Sequence, residues 1–485
     1  MSRLRVTQVR GGRGRWLLLM VCLAGALPLL AMMPASAESP APGAAPMPSA
    51  GPPGKLEMNL TGNGSTLTMG EPEIAVNPKN PKELYVNGAS FPVPLVIDGP
   101  SPAGLPNTCG GMISENGGLT WLHASPPPTR CEDGVTVFGP DGTLYAGGDA
   151  ATKTSTVPAG TPGSIVIGGS GIQVEGYVPL YVSTNGGRSW SNELKVMGSS
   201  TVGSFPFAAG SGHPASTFDR PWLVVDQSTN TVFVAAHNIV DHEGFVTAST
   251  NRAKSFGTIY ALDSPDAPWG GFGGNIAAAR GLLAAAYTAT AAPGATCPCV
   301  IFETSTDHGA TFARHVVPLT NANKQLSPYI SADPDTKGHF ALTVLDATGT
   351  MSQVYVTHDS GKTWHGPTLV GEAPANQRFK PWLSYGPGGT LALMWRTQYG
   401  DGSYGVWSAI ARAETKKGAR FSAPVRVSSV AAPYPQSGSL GDDFSFVIPD
   451  RTYVHIGWGD SRNVIFGGGV QIWYARIPIS NFTSA

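Results

Sequence analysis

Short apolar runs, separated by glycine, proline and small polar residues, recur along the chain from about residue 70 onward. Many of them alternate apolar and polar positions, as in Pro221-Trp-Leu-Val-Val, and a period of two is typical of half-buried β-strands. We find no long segment with the period of an amphipathic helix. The 62 glycines and 42 prolines suit the many turns that short strands need. The pattern predicts an all-β protein.

The strand pattern itself repeats. An anchor residue, an alternating apolar strand, a short turn and a second apolar strand recur seven times, with anchors at Pro72, Asp133, Pro221, Gly274, Pro328, Pro381 and Asp443. The anchors are 61, 88, 53, 54, 53 and 62 residues apart. A unit of this size fits four short strands with their turns, which is one blade of a β-propeller. The long second interval contains a Gly/Ser/Thr/Pro-rich insertion around residues 152–176.

We therefore predict a single β-propeller of four-stranded antiparallel blades. Seven copies favour seven blades, since closing the ring leaves no long exposed sheet edge. Six blades with an additional irregular N-terminal blade are the alternative. The predicted division of the chain is residues 1–37, 38–55 and 56–485, of which the last is the propeller.

A second motif, Ser/Thr-x-Asp/Asn-x-Gly-x-Thr/Ser-aromatic, follows the apolar strands. Full copies occupy residues 114–121, 183–190, 305–312 and 357–364, and a fifth copy at 249–256 has Ala253 in place of the glycine. Glycine supplies a positive φ in a tight hairpin, while the Asp/Asn and Ser/Thr side chains bind the turn backbone. The terminal aromatic residue can pack the hairpin against a neighbouring layer. A carboxylate in this motif is thus expected to hold a turn and not to catalyse a reaction.

The motif is similar to the Asp box of sialidases and other BNR-repeat proteins, and the resemblance extends from Glu71 to Pro478. Sialidases have six blades, so a count of seven departs from that pattern. The Arg-Ile-Pro triplet that they carry ahead of the first box is also absent there. The only such triplet is Arg476-Ile477-Pro478, near the end of the chain.

Within each blade the strands are antiparallel, so the start of the first strand lies beside the end of the second strand, on one face of the propeller. The Asp-box motifs join the third and fourth strands and therefore lie on the opposite face. Charged residues gather at the former positions, where propellers bind ligands. First-strand starts contribute Asp133, Asp219, Arg220, Arg378, Lys380, Asp442 and Asp443; second-strand ends contribute Asp149, His237, Asp346, Arg396, Asp460 and Arg462. These charges either bind a ligand or pair between blades.

The resemblance implies an exo-acting glycoside hydrolase that cleaves terminal sugars from glycans. Sialidases hold the sugar carboxylate with three arginines, and Arg220, Arg396 and Arg462 are the candidates here. Asp133 or Asp219 would transfer the proton. Glu243 would activate a nucleophilic tyrosine, with Tyr399 and Tyr404 as candidates. Further candidate substrate-binding residues are Arg378, Lys380, His237, Asp443 and Asp460.

Two other functions remain open from the sequence. A non-catalytic propeller could bind glycan or protein on its charged face, and this function requires none of the missing motifs. A hydrolase or lyase for another polysaccharide could use His237 or a tyrosine as its base. A deep pocket in which arginines, a tyrosine and carboxyls converge would favour an enzyme, and a shallow groove with paired charges would favour a binding module.

The N-terminus predicts secretion. Five arginines precede the apolar stretch from Trp16 to Met33, and Ala35-Ser36-Ala37 forms a small-x-small cleavage site. Residues 38–55 are rich in Pro, Ala, Gly and Ser, as in a disordered linker. Cleavage leaves 26 Lys and Arg against 32 Asp and Glu, a net charge of −6. A mildly acidic chain without a basic stripe is a poor partner for nucleic acid, and no second apolar run could cross a membrane.

Four cysteines remain after cleavage, and an even number in an oxidising compartment favours disulfides. We expect Cys109 to pair with Cys131, whereas Cys297 and Cys299 are left unassigned. No metal site and no cofactor are predicted from the sequence, although the carboxylates near Asp442 and Asp443 have the oxygen ligands that calcium takes. The protein is expected to be extracellular or periplasmic and monomeric, with glycans as partners.

Overall fold

The computed structural model describes residues 53–62, 67–92, 108–124, 133–159, 161, 165–167, 170–200, 202–209, 218–238, 243–323, 327–374, 376–415, 417–433, 445–463 and 470–483. The predicted signal, residues 38–52 of the predicted linker, and Cys131, Asp442 and Asp443 lie outside this part of the chain. The described residues contain no helix long and apolar enough to cross a membrane.

In the described part of the chain, thirty-one strands form seven antiparallel sheets, which are the blades. The first strand is β1 (Leu56–Asn59). Blade 1 contains β2 (Leu67–Val76), β3 (Leu84–Pro92), β4 (Thr108–Ser114) and β5 (Leu122–Ala124). Blade 2 contains β6 (Val135–Phe138), β7 (Leu144–Gly147), β8 (Ala150–Val157), β9 (Ile165–Ile167), β10 (Ser170–Ser183) and β11 (Leu194–Gly198). Blade 3 contains β12 (Phe218–Asp226), β13 (Thr231–Asn238), β14 (Gly244–Ser249) and β15 (Tyr260–Ala261).

The remaining strands follow the same order. Blade 4 contains β16 (Trp269–Ala279), β17 (Leu282–Ala289), β18 (Cys299–Ser305) and β19 (Ala313–Val316). Blade 5 contains β20 (Tyr329–Ala332), β21 (Phe340–Leu345), β22 (Ser352–Thr357) and β23 (His365–Val370). Blade 6 contains β24 (Gln377–Tyr385), β25 (Leu391–Gln398), β26 (Tyr404–Thr415), β27 (Gly418–Phe421) and β28 (Val425–Arg426). Blade 7 contains β29 (Ser445–Pro449), β30 (Tyr453–Asp460), β31 (Gln471–Pro478) and β1, and a 3₁₀ turn (Ile479–Asn481) follows β31.

The seven blades confirm the predicted seven-bladed propeller. The first strand of every blade contacts the first strands of both neighbouring blades, so these strands line a central channel. The ring closes because the N-terminal strand β1 is the outer strand of blade 7, with Leu56 opposite Arg476 and Asn59 opposite Trp473. The predicted insertion forms β8, β9 and the first half of the long strand β10. Both β8 and β9 pair with β10.

The repeated hairpin motif joins the third and fourth strands in blades 1 to 5, as predicted. In blade 1, Ser114 Oγ accepts a hydrogen bond from the Gly118 amide (2.8 Å), and Asn116 Oδ1 accepts one from the Thr120 amide (2.9 Å). Gly118 has a φ of 82°, and a Cβ there would lie 2.0 Å from the Tyr474 hydroxyl, so this position requires glycine. In blade 3, Ala253 adopts a φ of 56° and keeps the same hydrogen bond to Ser249 Oγ (2.9 Å).

The aromatic residue that ends the motif packs onto the preceding blade. Trp121 of blade 1 meets Tyr474 of blade 7 edge-to-face, with ring centroids 4.9 Å apart. Trp190 of blade 2 meets Tyr85 of blade 1 at 5.5 Å, and Trp364 of blade 5 meets Phe302 of blade 4 at 5.0 Å. These contacts tie the outer hairpins to the apolar core, which lies between adjacent blades.

The cysteines divide into two cases. Cys297 and Cys299, unassigned from the sequence, are joined by a disulfide between β17 and β18. The predicted pair of Cys109 and Cys131 lies outside the described part of the structure, because the placement of Cys131 and of the Cys109 side chain is not described.

Candidate functional site

The first strands of blades 1 and 3 each carry a β-bulge near the start. The pairing register shifts between Gly70 and Glu73 in β2 and between Asp219 and Trp222 in β12. The bulged residues Glu71 and Arg220 have positive φ values of 53° and 49°, and each precedes a proline, which cannot donate a ladder hydrogen bond. Bulges of this kind redirect side chains and are common beside functional sites.

Three carboxyl groups from three neighbouring blades meet at these bulges. The Arg220 amide donates to Asp133 Oδ2 (3.1 Å) and to Asp219 Oδ1 (2.9 Å). Glu71 lies near enough to Asp133 for its negative charge to raise the pKa of Asp133. We call Glu71, Asp133 and Asp219 the carboxyl cluster.

Burial controls the charge of this cluster. Glu71 is 1% exposed and Asp133 is 6% exposed. The pKa of Asp133 is raised well above its ordinary value, mainly by burial and then by the negative charges of Glu71 and Asp219, with Arg220 opposing the shift. With its pKa raised in this way, Asp133 is the group of the cluster best suited to hold a proton and give it away.

His237 lies at the edge of the cluster, at the end of β13. Its Nε2 is 3.7 Å from Asp219 Oδ2, and its ring stacks on Trp269 with a centroid distance of 6.5 Å. Trp269 in turn stacks on Tyr287 at 4.7 Å. The imidazole is 3% exposed, so the aromatic stack fixes its orientation towards Asp219.

Beneath the cluster, the first strands enclose a channel cavity of about 590 Å³. Glu73, two residues beyond Glu71, lines it and accepts a hydrogen bond from the Thr136 amide (2.5 Å). Burial raises the pKa of Glu73, although this hydrogen bond opposes the shift. Burial, with the charge of Glu73, also raises the pKa of the Tyr329 hydroxyl, so that phenol stays protonated.

Aromatic side chains from blades 3, 5, 6 and 7 meet across the same cavity. Tyr329 and Trp382 are in edge contact at 4.4 Å, Trp222 lies 5.6 Å from Tyr329, and Phe446 lies 5.3 Å from Trp382. All four line the channel cavity. Such flat apolar faces suit the non-polar faces of sugar rings.

The predicted residues of blade 6 form a separate group around Glu372. Its carboxylate binds Arg378 Nη2 (3.1 Å), Trp395 Nε1 (2.8 Å) and Thr397 Oγ1 (2.5 Å). The Arg378 side chain is completely buried, and its Nη1 donates to the Asn376 carbonyl (3.0 Å).

Two more predicted residues lie in the same blade. Arg396, also fully buried, donates to Ser445 Oγ of blade 7 (2.6 Å) and lies over the Tyr404 ring. Lys380 lies in β24 at the position equivalent to the bulges of blades 1 and 3, and its side chain is outside the described structure.

The predicted residues of blade 7 form a second ionic group. Arg462 makes a two-point contact with Asp460, at 3.0 Å from Nε to Oδ1 and 2.7 Å from Nη2 to Oδ2. Its Nη1 donates to Glu57 Oε1 (2.8 Å), and its guanidinium stacks 3.9 Å over the Trp473 ring. Burial alone would lower the pKa of Arg462, but Asp460 and Glu57 outweigh it and raise that pKa. The guanidinium is thus fully engaged within the protein.

The structure brings some predicted residues together and separates others. Asp133, Asp219, Arg220 and His237 form one site, whereas Arg378 and Arg396 belong to the blade 6 group and Asp460 and Arg462 to the blade 7 network. Glu243 lies between β13 and β14 of blade 3, and the tyrosines proposed for it belong to blade 6. There, Tyr404 donates to the Gly459 carbonyl (2.8 Å) and Tyr399 accepts from Trp407 Nε1 (3.1 Å).

Two acidic residues of the site, Glu71 and Glu73, were missed from the sequence. They flank the anchor Pro72, and the residue before an anchor proline is also charged at Arg220 and Lys380. The sequence signal that could have identified these residues was therefore a charged residue recurring before proline at the same position of the repeat.

Among the described residues, side chains of the types that commonly bind metals lie together on the opposite face of the propeller, at His339, His358 and Glu414.

Comparisons with solved structures find matches of low sequence identity. They include a protein of unknown function from Dyadobacter fermentans (13% identity, 87% of this chain and 99% of that chain, TM-score 0.48). A Hadza microbial sialidase matches at 14% identity over 78% of this chain and 75% of its own, with a TM-score of 0.42. An α-L-arabinanase from Penicillium chrysogenum matches at 13% identity over 72% and 93%, with a TM-score of 0.40.

No protein-family model and no curated protein matches the chain. The seven antiparallel blades confirm the predicted β-propeller fold. Identities of 14% or less transfer no activity and no residue role to this chain.

Proposed function

We propose that this protein is a secreted glycoside hydrolase whose active centre is the carboxyl cluster of blades 1 to 3. The observation that carries the proposal is the single Arg220 amide bound by both Asp133 and Asp219, with the pKa of the buried Asp133 raised. Glycoside hydrolysis uses two carboxyl groups in different protonation states, and this site places a carboxyl with a raised pKa beside a second carboxyl.

Each group has a distinct role in the proposed reaction. Asp133 donates its proton to the glycosidic oxygen as the bond from that oxygen to the anomeric carbon breaks. Asp219 stabilises the positive charge that develops on the sugar, and water supplies the hydroxyl group of the new reducing end while its other proton returns to Asp133. The negative charge of Glu71 raises the pKa of Asp133 and so keeps the donor protonated. Arg220 and His237 position Asp219.

The arginines favour an uncharged sugar over a sialoside. A sialoside clamp requires guanidinium groups that can turn to the substrate carboxylate. Arg462 is bound at three of its nitrogens by Asp460 and Glu57, and Arg396 is completely buried against Ser445 and Tyr404. We therefore propose terminal neutral sugars of glycans as the substrate class, with the channel aromatics as a stacking surface.

The test is turnover by the mature chain from Glu38 onward. Aryl glycosides of neutral sugars, arabino-oligosaccharides and α2,3- and α2,6-sialyllactose are assayed in parallel for released sugar. Hydrolysis of a neutral glycoside that falls about 10²- to 10⁴-fold in Asp133→Asn supports the proposal. Glu71→Gln should lower the rate and shift its pH profile.

Glu115→Gln is the matched control, because Glu115 lies in the blade 1 hairpin on the opposite face and is more than half exposed. Equal loss in Glu115→Gln and Asp133→Asn would contradict an active centre at the cluster. Release of sialic acid would overturn the substrate class, and loss of that release in Arg462→Ala would restore the predicted arginine clamp.

A non-catalytic glycan-binding propeller is the second candidate. The near-complete burial of Glu71 and Asp133 favours it, and so does the internal pairing of Arg378 and Arg462, whose charges are already satisfied. Binding on a glycan array without turnover of any substrate, unchanged by Asp133→Asn, would select this candidate.

A further inference from the structure

Two histidines and a glutamate converge on the face opposite the carboxyl cluster, at the boundary of blades 5 and 6. His339 immediately precedes β21, and His358 follows β22 within the blade 5 hairpin motif. Glu414 is near the end of β26 in blade 6. The proposed hydrolysis uses none of these residues.

The ligand atoms of the three side chains already lie close together. His339 Nε2 is 2.9 Å from Glu414 Oε2, and His358 Nε2 is 3.1 Å from the same oxygen. The two imidazole rings stack with centroids 4.4 Å apart. One ligand atom from each residue lies within 4.8 Å of the others. Tetrahedral zinc with bonds of about 2.0–2.1 Å places its ligand atoms about 3.3 Å apart, so only a small closure by His358 is needed.

Neighbouring side chains orient two of these ligands. His339 Nδ1 is 2.8 Å from Asp333 Oδ2, a contact that directs Nε2 towards Glu414. Histidine ligands of zinc typically have a carboxylate or carbonyl at the other ring nitrogen. The Tyr385 hydroxyl donates to Glu414 Oε1 (2.7 Å), which leaves Oε2 facing both histidines.

The site is open to solvent on one side. The His358 side chain is 47% exposed at its hairpin, whereas His339 and Glu414 are 10% and 15% exposed. An ion can therefore enter past His358, and a water molecule can complete the coordination.

We propose that His339, His358 and Glu414 bind one zinc ion that joins blades 5 and 6. Two imidazoles and one carboxylate are a common ligand set for zinc with an open fourth position. Calcium and magnesium prefer oxygen ligands throughout, so neither is expected to compete. The ion would connect a hairpin, a turn and a strand that the chain supplies from three separate segments.

The experiment uses the mature chain, purified without a histidine tag and stripped with a chelator. Zinc is titrated in competition with a chromophoric chelator, in the presence of excess calcium, and the melting temperature is followed as zinc is added. One zinc per chain and a rising melting temperature are expected. Co²⁺ in place of zinc should show the intense visible absorption of tetrahedral coordination.

Variants locate the ion. His358→Ala, at an exposed position, and Glu414→Gln should abolish the one-to-one binding, and Asp333→Asn should weaken it about 10- to 100-fold. His308→Ala, in the corresponding hairpin of blade 4, is the matched control and should bind as the parent does. No zinc binding by the parent, or equal binding by the parent and His358→Ala, overturns the proposal. A melting temperature of each metal-free variant near that of the parent excludes misfolding.

Discussion

The carboxyl cluster of blades 1 to 3 and the Arg462 network of blade 7 both combine acidic side chains with one arginine, but they arrange them differently. In the network, Arg462 lies between Asp460 and Glu57, and each carboxylate faces a guanidinium at 2.7 to 2.8 Å. In the cluster, three carboxyls face one another around an amide, and one of them is 6% exposed with a raised pKa. The first arrangement is complete without a ligand.

This difference separates structural from reactive charge. A buried ion pair with matched partners keeps both groups charged, and removing one partner leaves an uncompensated charge. A buried carboxyl beside other carboxyls holds a proton instead, and a proton that can be given away is what an acid catalyst needs. A charged residue at a ligand-binding face therefore indicates function only once the groups that it contacts are known.

The largest expected effect on stability is at the network. Arg462→Ala leaves Asp460 buried without its guanidinium and removes the stacking on Trp473, so we expect a loss of about 3–5 kcal/mol in urea unfolding. Asp133→Asn should change the unfolding free energy far less, since the amide replaces an already protonated carboxyl. Arg188→Ala is the control, because its ion pair with Glu115 is exposed and should contribute less than about 1 kcal/mol. Comparable losses in Arg462→Ala and Arg188→Ala would refute a structural role for the network.

The pH dependence of stability should also distinguish the two sites. Folded Asp133 keeps its proton at pH values where the unfolded chain, with a carboxyl pKa near 3.8, has lost it. The folded state then binds more protons, so this group's contribution to stability falls as pH rises above about 4. Asp133→Asn should flatten the curve of unfolding free energy against pH in that range. An unchanged curve would mean that Asp133 is ionised in the folded protein.

Glu303 of blade 4 tests whether one nearby cation is enough to keep a buried carboxyl charged. Arg314 Nε lies 2.6 Å from its Oε2, yet burial outweighs the arginine and raises the pKa of Glu303 to about 8. The contribution of Glu303 to the free energy of unfolding should accordingly decline between about pH 4.5 and 8, and Glu303→Gln should reduce that decline. Melting temperatures measured across this pH range test the prediction. A melting temperature of the parent that rises with pH would show that the charge of Arg314 outweighs burial at Glu303.

The smallest effect is expected at the hairpin motif. Asp359 of blade 5 accepts from the Thr363 amide (2.8 Å) and hydroxyl (2.7 Å) at an exposed turn. Asp359→Ala should cost about 1 kcal/mol in urea unfolding. Asp359→Asn should cost less, because Asn116, Asn185 and Asn251 perform the same role in blades 1 to 3. A catalytic loss in Asp359→Ala without a stability loss would contradict the purely structural role of the motif.

Much of the architecture was predictable because its causes are local. The Ser114–Gly118 hydrogen bond and the positive φ of Gly118 are set within a few residues, and the same residues recur in each copy. The bulge at Glu71 also has a local cause in the following Pro72, although its charge was not recognised as part of the site. Repetition then favoured seven blades, since each copy forms one sheet.

The pairing of charges could not be predicted in the same way. Arg462 and Glu57 are separated by 405 residues and meet only because β1 completes blade 7. His339 and Glu414 are 75 residues apart, on two blades. The sequence by itself determined the strands and the hairpins and favoured seven blades over six, because each depends on neighbours in the chain. Only the tertiary structure decided the number of blades, which charged residues are paired and which are buried beside like charges, because ring closure and burial select their partners.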